Sequence, residues 1–287
     1  MTAPAAGPVI AGAPGPGALT LGRWAAETLG VRLLVAVVHP APAALGSGRV
    51  DAEWVADRHR AAERILDEAR KALEGADADY RAVASSSAAH GLHDLAEETG
   101  ASLIVVGSGR DGPRERLYPG STADRLLAGS VCPVAVAPAE LATPPGTLGV
   151  IGVAYVDTPD GRAALAEAAK MAGRTGARLR LYTVVAQGDA SLPFLIGQDA
   201  ERAFLETARE TYERSLEAAA ASVPQCDTDW RIVPGDVVDT LAELDEVDVL
   251  FCGSRGYGPA RRVLLGGVSA RLIRRARRPV IVVPRSG

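Results

Sequence analysis

The chain is poor in cysteine, in aromatic residues and in long apolar runs, and each shortage excludes a class of protein. Only 4% of its 287 residues are aromatic, and its three cysteines stand at positions 132, 226 and 252. An odd number of widely spaced cysteines predicts neither a disulfide framework nor a zinc site. We expect small thiols that are buried or half-buried. No apolar run approaches the ~18 residues that cross a bilayer, so no membrane segment is predicted.

Charge and the start of the chain exclude further classes. The net charge of −4 argues against bulk binding to nucleic acid or to an anionic membrane, since both favour a basic surface. The first 19 residues have neither a basic start nor a long apolar stretch. This predicts no signal peptide and a cytoplasmic protein.

An internal repeat organises what is present. Gly107 and Gly253 lie 146 positions apart (253 − 107), and the same offset links many other identical residues. Between the copies, residues 139–147 include two adjacent prolines, which stiffen a short connection. The sequence therefore predicts two domains, 1–141 and 148–287. Further matches at this offset are Gly30 with Gly176, Arg32 with Arg178, Gly120 with Gly266, Arg125 with Arg271, Pro133 with Pro279, Pro138 with Pro284, and Leu95-Ala96-Glu97 with Leu241-Ala242-Glu243.

Each copy alternates short apolar runs with segments of helical spacing, which indicates an α/β fold with a parallel, doubly wound, Rossmann-like sheet of five strands. Right-handed crossovers then place helices on both faces. Asp236 is predicted to cap the third helix of the second copy. The predicted strands are 8–11, 32–38, 80–84, 102–106 and 134–137 in the first copy and 150–156, 178–185, 229–233, 247–252 and 280–283 in the second; helices in the second copy are 162–173, 198–223, 236–244 and 269–276.

A glycine-rich loop follows the fourth strand of the second copy. It begins Gly253-Ser254-Arg255-Gly256 and ends, after nine residues, at Gly266-Gly267-Val268-Ser269. Glycines let backbone amides approach a phosphate closely, and the helix beginning near Val268 or Ser269 points its positive end at the same place. Arg261 and Arg262 in the loop could add charge-assisted contacts. In such sheets ligands bind at the carboxyl ends of the strands, which is where this loop lies.

The chain resembles the universal stress protein family on three features. They are this G-x2-G-x9-G loop, the following Arg-Pro-Val-Ile-Val-Val-Pro and the first-strand segment Val-Ala-Tyr-Val-Asp-Thr that contains Asp157. The resemblance implies an adenine nucleotide alpha hydrolase-like fold in each copy and binding of ATP, with Mg²⁺ as a further expectation. It implies that Asp157 lies near the ribose and the metal-bound phosphates. The residues expected to bind the nucleotide are Asp157, Gly253, Gly256, Gly266, Gly267, Val268 and Ser269, with Gly267 replacing the family's usual hydroxyl residue.

The first copy departs from the family pattern at two positions. Arg110 replaces the second glycine of the loop, and Ala11 stands 146 positions before Asp157 (157 − 146). We therefore expect the second copy to be the nucleotide site and the first to be structural.

Other motifs are weaker. Gly107 begins a G-x-G-x-x-G sequence, but it follows the fourth strand of its unit rather than the first, unlike a dinucleotide fingerprint. His90 and His93 are three apart without a third metal ligand of matching spacing, so no metal site is predicted. The arginines near the end of the last helix are read as a solvated basic face, and residues 51–74 as a surface helix with Trp54, Ile65 and Leu66 available for packing.

Three functions remain open from the sequence. The first is a regulatory protein that binds ATP and alters its contacts with a protein partner. The second is an interaction scaffold that binds no nucleotide, and the third is a very slow ATPase. No convincing general base accompanies the loop, so an enzyme is not expected. The copies should pair about a pseudo-twofold axis through strands 134–137 and 280–283, as an intramolecular pseudo-dimer, and a homodimer of the chain stays open.

Overall fold

The computed structural model describes residues 6–13, 15–41, 48–107, 120–138, 141, 148–185, 198–254 and 267–284. Strands and helices alternate in both copies, as predicted. The first copy contains β1 (Val9–Gly12), α1 (Pro16–Leu29), β2 (Leu33–Pro40), α2 (Gly48–Ala72), β3 (Ala78–Ser85), α3 (Ala88–Thr99), β4 (Leu103–Gly107), α4 (Ser121–Gly129) and β5 (Val134–Ala137). The second contains β6 (Val150–Ala154), α5 (Pro159–Thr175), β7 (Arg178–Val185), α6 (Gln198–Ala221), β8 (Thr228–Pro234), α7 (Val237–Ala242), β9 (Val249–Gly253), α8 (Gly267–Arg275) and β10 (Val280–Val283).

One ten-stranded sheet runs through both copies in the order β3-β2-β1-β4-β5-β10-β9-β6-β7-β8. Within each copy the five strands are parallel and follow a doubly wound order. The copies join where β5 and β10 pair antiparallel, with Val280 opposite Val136 and Val282 opposite Val134. The predicted pairing of the two final strands is therefore confirmed.

Two layers of helices cover the sheet, and each layer contains helices from both copies. Helices α1, α2, α5 and α6 pack on one face, and α3, α4, α7 and α8 pack on the other. Helix α1 contacts α5 across the junction, where the Arg174 guanidinium donates a hydrogen bond to the Leu29 carbonyl. On the opposite face, Arg274 of α8 forms an ion pair with Asp124 of α4 at 3.5 Å. Both layers therefore connect the copies.

Helix ends follow local sequence signals. The Asp236 carboxylate accepts hydrogen bonds from the Val238 and Asp239 amides and so caps α7, as predicted. Helix α5 begins three residues earlier than its apolar spacing indicates, at Pro159, because Thr158 caps it and proline suits the first helical position. Helix α8 begins at Gly267, one residue before the earlier of its two predicted starts.

One surface expectation needs correction. Leu66 is buried, but Trp54 is 52% exposed and does not pack into the core. Arg274 and Arg275 are exposed, as a solvated basic face predicts, and they also make ion pairs with Asp124 and with Asp239. The expected state of the cysteines is confirmed: all three are free thiols, buried at Cys132 and Cys252 and half-buried at Cys226.

Candidate functional site

The carboxyl ends of β6 and β9 lie side by side at the point where the strand order of the second copy reverses. Strand β6 pairs with β7 on one side and with β9 on the other, and Ala154 lies opposite Cys252. The chain leaves β6 toward α5 and leaves β9 through Gly253 toward the glycine-rich segment. A crevice at this position is where doubly wound sheets bind ligands.

Residues 156–161, which we call the acidic loop, contain the end of the connection from β6 and the first three residues of α5. Threonine hydroxyls bind the backbone at both ends of this loop. The Thr183 hydroxyl donates to the Tyr155 carbonyl at 2.8 Å just before the loop. The Thr158 hydroxyl accepts from the Gly161 amide at 3.0 Å at its end. A Cβ on Gly161 would lie 2.0 Å from the Val156 carbonyl oxygen, so the turn requires glycine here.

Asp157 presents its carboxylate from the acidic loop. Its side chain is 57% exposed and forms an ion pair with Arg162 of the first turns of α5. The Tyr155 hydroxyl donates a long hydrogen bond to it at 3.5 Å. Burial, and secondarily the negative charge of Asp157, raise the pKa of Tyr155, which keeps this hydroxyl a donor. Asp157 is thus accessible and oriented, as a ligand-contacting carboxylate must be.

Gly253 ends β9 in close contact with the beginning of α5. A Cβ placed on Gly253 would lie 2.8 Å from the Asp160 Cβ and 3.0 Å from the Asp160 carbonyl carbon and oxygen. Only glycine allows this approach, which brings the start of the glycine-rich segment against the acidic loop. Two of the three sequence features that carried the family resemblance, the glycine-rich segment and the first-strand segment, therefore meet in space.

Ser269 connects the two ends of the glycine-rich segment. Its hydroxyl donates to the Gly253 carbonyl at 2.9 Å, and the residue is only 3% exposed. Burial raises the pKa of the neighbouring Cys252 thiol to about 12, so that this thiol stays protonated. The Ser269 side chain thus fixes the N-terminus of α8 beside the end of β9, and the amides of Gly267 and Val268 stand in the first turn of that helix.

The middle of the glycine-rich segment lies outside the described residues. Gly256, Gly266, Arg261 and Arg262 fall within 255–266, and their expected roles stay predictions. The structure brings the other site residues together at one edge of the sheet: Asp157, Gly253, Gly267, Val268 and Ser269.

The first copy has no counterpart of the acidic loop, although the offset of 146 matched Ala11 with Asp157 of that loop. Val9 of β1 pairs with Leu33, and Ile151 of β6 pairs with Leu179, which lies 146 positions after Leu33. Val9 and Ile151 are therefore equivalent, and yet they lie only 142 positions apart (151 − 9). The first copy is four residues shorter in this region.

The counterpart predicted for Asp157 is therefore wrong. Ala11 corresponds to Val153, a buried strand residue. Between Ala13 and Pro16 the first copy has two residues, where the second has six between Tyr155 and Arg162. No carboxylate is present in that shorter connection, so the first copy lacks this half of the site.

Three residues of the crevice were not singled out by sequence reasoning. Asp160 is 9% exposed, and its Oδ1 has no hydrogen-bond partner. Arg162 pairs with Asp157, and Gly161 makes the tight turn before it. The Thr-Pro pair before Asp160 was the available signal, because it marks a helix start and so places the following residues in a first turn.

Metal and membrane features complete the description. Within the described ranges no three His, Cys, Asp or Glu side chains form a group that could hold a metal ion. His90 and His93 both lie on α3, where His90 faces Asp94 at 3.4 Å. None of the described helices combines the length and apolar character needed to span a bilayer.

Comparison with known proteins agrees with this architecture. The model of the universal stress protein family matches residues 13–138 and again residues 148–284. A universal stress protein of Mycobacterium tuberculosis strain H37Rv is 31% identical over 294 residues, covering 96% of this chain and 97% of that protein. A Mycobacterium bovis universal stress protein gives the same values. The crystal structure of a universal stress protein from Archaeoglobus fulgidus DSM 4304 aligns with a TM-score of 0.67 and 21% identity over 98% of this chain and 97% of that one. The chain therefore belongs to the universal stress protein family, as a tandem pair of its domains.

Proposed function

We propose that the second copy binds an adenine nucleotide, ATP in the first instance, and that the first copy does not. The observation that carries this proposal is the close contact between Gly253 and the first turn of α5. It brings the helix that follows the Asp157 loop against the start of a glycine-rich segment. The first copy is four residues shorter in the corresponding connection and has no residue equivalent to Asp157.

The chemistry of the crevice suits the parts of a nucleotide. Ribose hydroxyls are donors, and the exposed Asp157 carboxylate is an acceptor for them. Phosphate oxygens are acceptors, and the first amides of a helix such as α8, which have no partner within the helix, are donors with a favourable dipole. Since Ser269 already donates to the Gly253 carbonyl, its contribution to phosphate binding comes from its backbone amide.

We propose a regulatory role rather than an enzymatic one, in the cytoplasm. The carboxylate of Asp157 is mostly exposed and is engaged in an ion pair with Arg162, so it does not stand free to act as a general base. Nucleotide binding in this crevice would change the surface offered to a protein partner. Binding experiments with and without nucleotide would identify that partner.

The test is calorimetric titration of the full chain with ATP, ADP, AMP and cyclic AMP. Asp157→Ala removes the ribose acceptor, and Gly256→Arg places a long side chain in the segment that is expected to wrap the phosphates. Each variant is expected to reduce ATP affinity at least tenfold. Glu217→Gln, an exposed position on α6, is the matched control and should bind as the wild type does.

Two outcomes would reject the proposal. Absence of binding at millimolar nucleotide would favour the scaffold, and unchanged affinity in both variants would mean that the site lies elsewhere. Release of phosphate at a rate that Asp157→Ala abolishes would instead favour the slow ATPase.

A further inference from the structure

Asp160 is a buried residue whose carboxylate has one oxygen without a hydrogen-bond partner. It is 9% exposed, and its Oδ1 makes no hydrogen bond. No ion pair involves it in the part of the chain that the structure describes. Its neighbour Asp157 differs in both respects, being mostly exposed and paired with Arg162. Buried carboxylates in proteins are ordinarily paired or hydrogen-bonded, so an orphaned one suggests a missing ligand.

The local helix does not supply that partner. Asp160 lies in the first turn of α5, where the dipole favours a negative charge. However, Pro159 has no amide hydrogen, and the Gly161 amide already donates to the Thr158 hydroxyl. The Arg162 amide donates to the Thr158 carbonyl at 2.9 Å. The nearby backbone donors are thus absent or used.

The position of Asp160 indicates which chemistry would satisfy it. Its Cβ and carbonyl group lie against Gly253, the residue from which the proposed phosphate-binding segment departs. A carboxylate next to phosphate oxygens repels them unless a cation lies between the two. Mg²⁺ fits this arrangement, because it is commonly held by one or two carboxylates together with substrate phosphates and several waters. No group of three protein ligands exists among the described residues, so the cation would need the phosphates.

We infer that Asp160 is the protein ligand of a divalent cation that enters the second copy with the nucleotide phosphates. This inference rests on the proposed function of the same crevice. Asp157 then contacts the ribose side of the nucleotide, and Asp160 makes its binding dependent on Mg²⁺. The first copy has only two residues between Ala13 and Pro16, and so it has no place for an equivalent of Asp160.

The experiment compares ATP affinity in Mg²⁺ with that in EDTA for the full chain and for Asp160→Ala. Alanine keeps the Cβ that touches Gly253 and suits a helix, so the variant should fold. The wild type should bind at least tenfold more tightly with Mg²⁺. Asp160→Ala should keep the affinity seen in EDTA and lose the increment due to Mg²⁺. Glu167→Gln, on the same helix and paired with Lys170, is the control and should keep the increment.

The outcomes separate this inference from the function on which it rests. If the wild type binds no nucleotide in either buffer, the proposed function fails. If the wild type binds, but Asp160→Ala shows an intact Mg²⁺ increment, only the role of Asp160 fails. An equal loss of affinity in Mg²⁺ and in EDTA would mean that Asp160 contacts the nucleotide itself and would overturn the cation assignment.

Discussion

Gly253→Ala and Gly107→Ala change the same position of the two copies and are expected to have opposite effects. Each residue ends the fourth strand of its copy, and the two residues lie 146 positions apart. A Cβ on Gly253 would meet three atoms of Asp160 at 2.8 to 3.0 Å, two of them backbone atoms of α5. Among the described residues, a Cβ on Gly107 would meet only the Ala18 Cβ, at an ordinary 3.8 Å. The pair therefore isolates the close contact from the general effect of removing a glycine.

The magnitudes follow from two opposing terms. Overpacking a well-packed site costs about 1–3 kcal/mol, and atoms of a helix backbone yield less easily than a side-chain tip. Replacing glycine by alanine also restricts the unfolded chain, which stabilises the folded state by about 0.4–1 kcal/mol where no strain arises. We expect Gly253→Ala to lower the free energy of unfolding by roughly 1–2 kcal/mol and Gly107→Ala to leave it unchanged or to raise it by up to about 1 kcal/mol.

The assay is equilibrium unfolding in urea, followed by far-ultraviolet circular dichroism and by tryptophan fluorescence. Trp24 is buried in the first copy and Trp230 is half-buried in the second, so fluorescence reports on both. Coincident transitions in the two signals would justify a single free energy. Equal stability of Gly253→Ala and the wild type, or equal destabilisation by both substitutions, would refute the contact between β9 and α5.

Two further predictions concern titratable groups of the second copy. The hydrogen bonds from Arg180 to Asp229, at 2.6 and 2.7 Å, lower the pKa of Asp229. A lowered folded-state pKa stabilises the protein above the unfolded pKa of about 3.9 and loses that effect as pH falls through the folded value. Asp229→Asn should therefore lower the free energy of unfolding by about 1 kcal/mol at neutral pH and by almost nothing near ~pH 2. The loss at neutral pH is modest because the carboxylate is 39% exposed and because Arg180 keeps its ion pair with Glu246 at 3.4 Å. A cost that did not change with pH would contradict this reasoning. Burial raises the pKa of Cys252 to about 12, so iodoacetamide at ~pH 8 should modify the half-buried Cys226 first and Cys252 only after unfolding. Peptide mass spectrometry measures the order in which the two thiols are modified. Early modification of Cys252 would contradict its burial.

The architecture could be predicted from the sequence because its signals are local and duplicated. Alternation of apolar runs with helical spacing predicted the five parallel strands of each copy, and the apolar final strands predicted the junction that β5 and β10 form. The N-cap of α7 followed from a single residue, Asp236. Each of these depends on residues that lie close together in the chain.

The details of the crevice could not be predicted, since they depend on contacts between distant segments. A fixed offset cannot reveal that the first copy is four residues shorter before α1, and this led to Ala11 being matched with Asp157. Asp160 at the start of α5 lies against Gly253 at the end of β9, a contact between segments that are far apart in the chain. The ion pair between Arg274 and Asp124 crosses the junction of the copies, so the helix sequence alone could not show it.

The number of nucleotides bound per chain tests the central claim most directly. Equilibrium dialysis of the full chain against labelled ATP and Mg²⁺ should saturate at one nucleotide per chain, because the acidic loop occurs in the second copy and the shorter connection in the first. Saturation at two ATP molecules per chain would contradict the account, since it would require a site without that loop. No bound ATP would show that the chain does not bind this nucleotide.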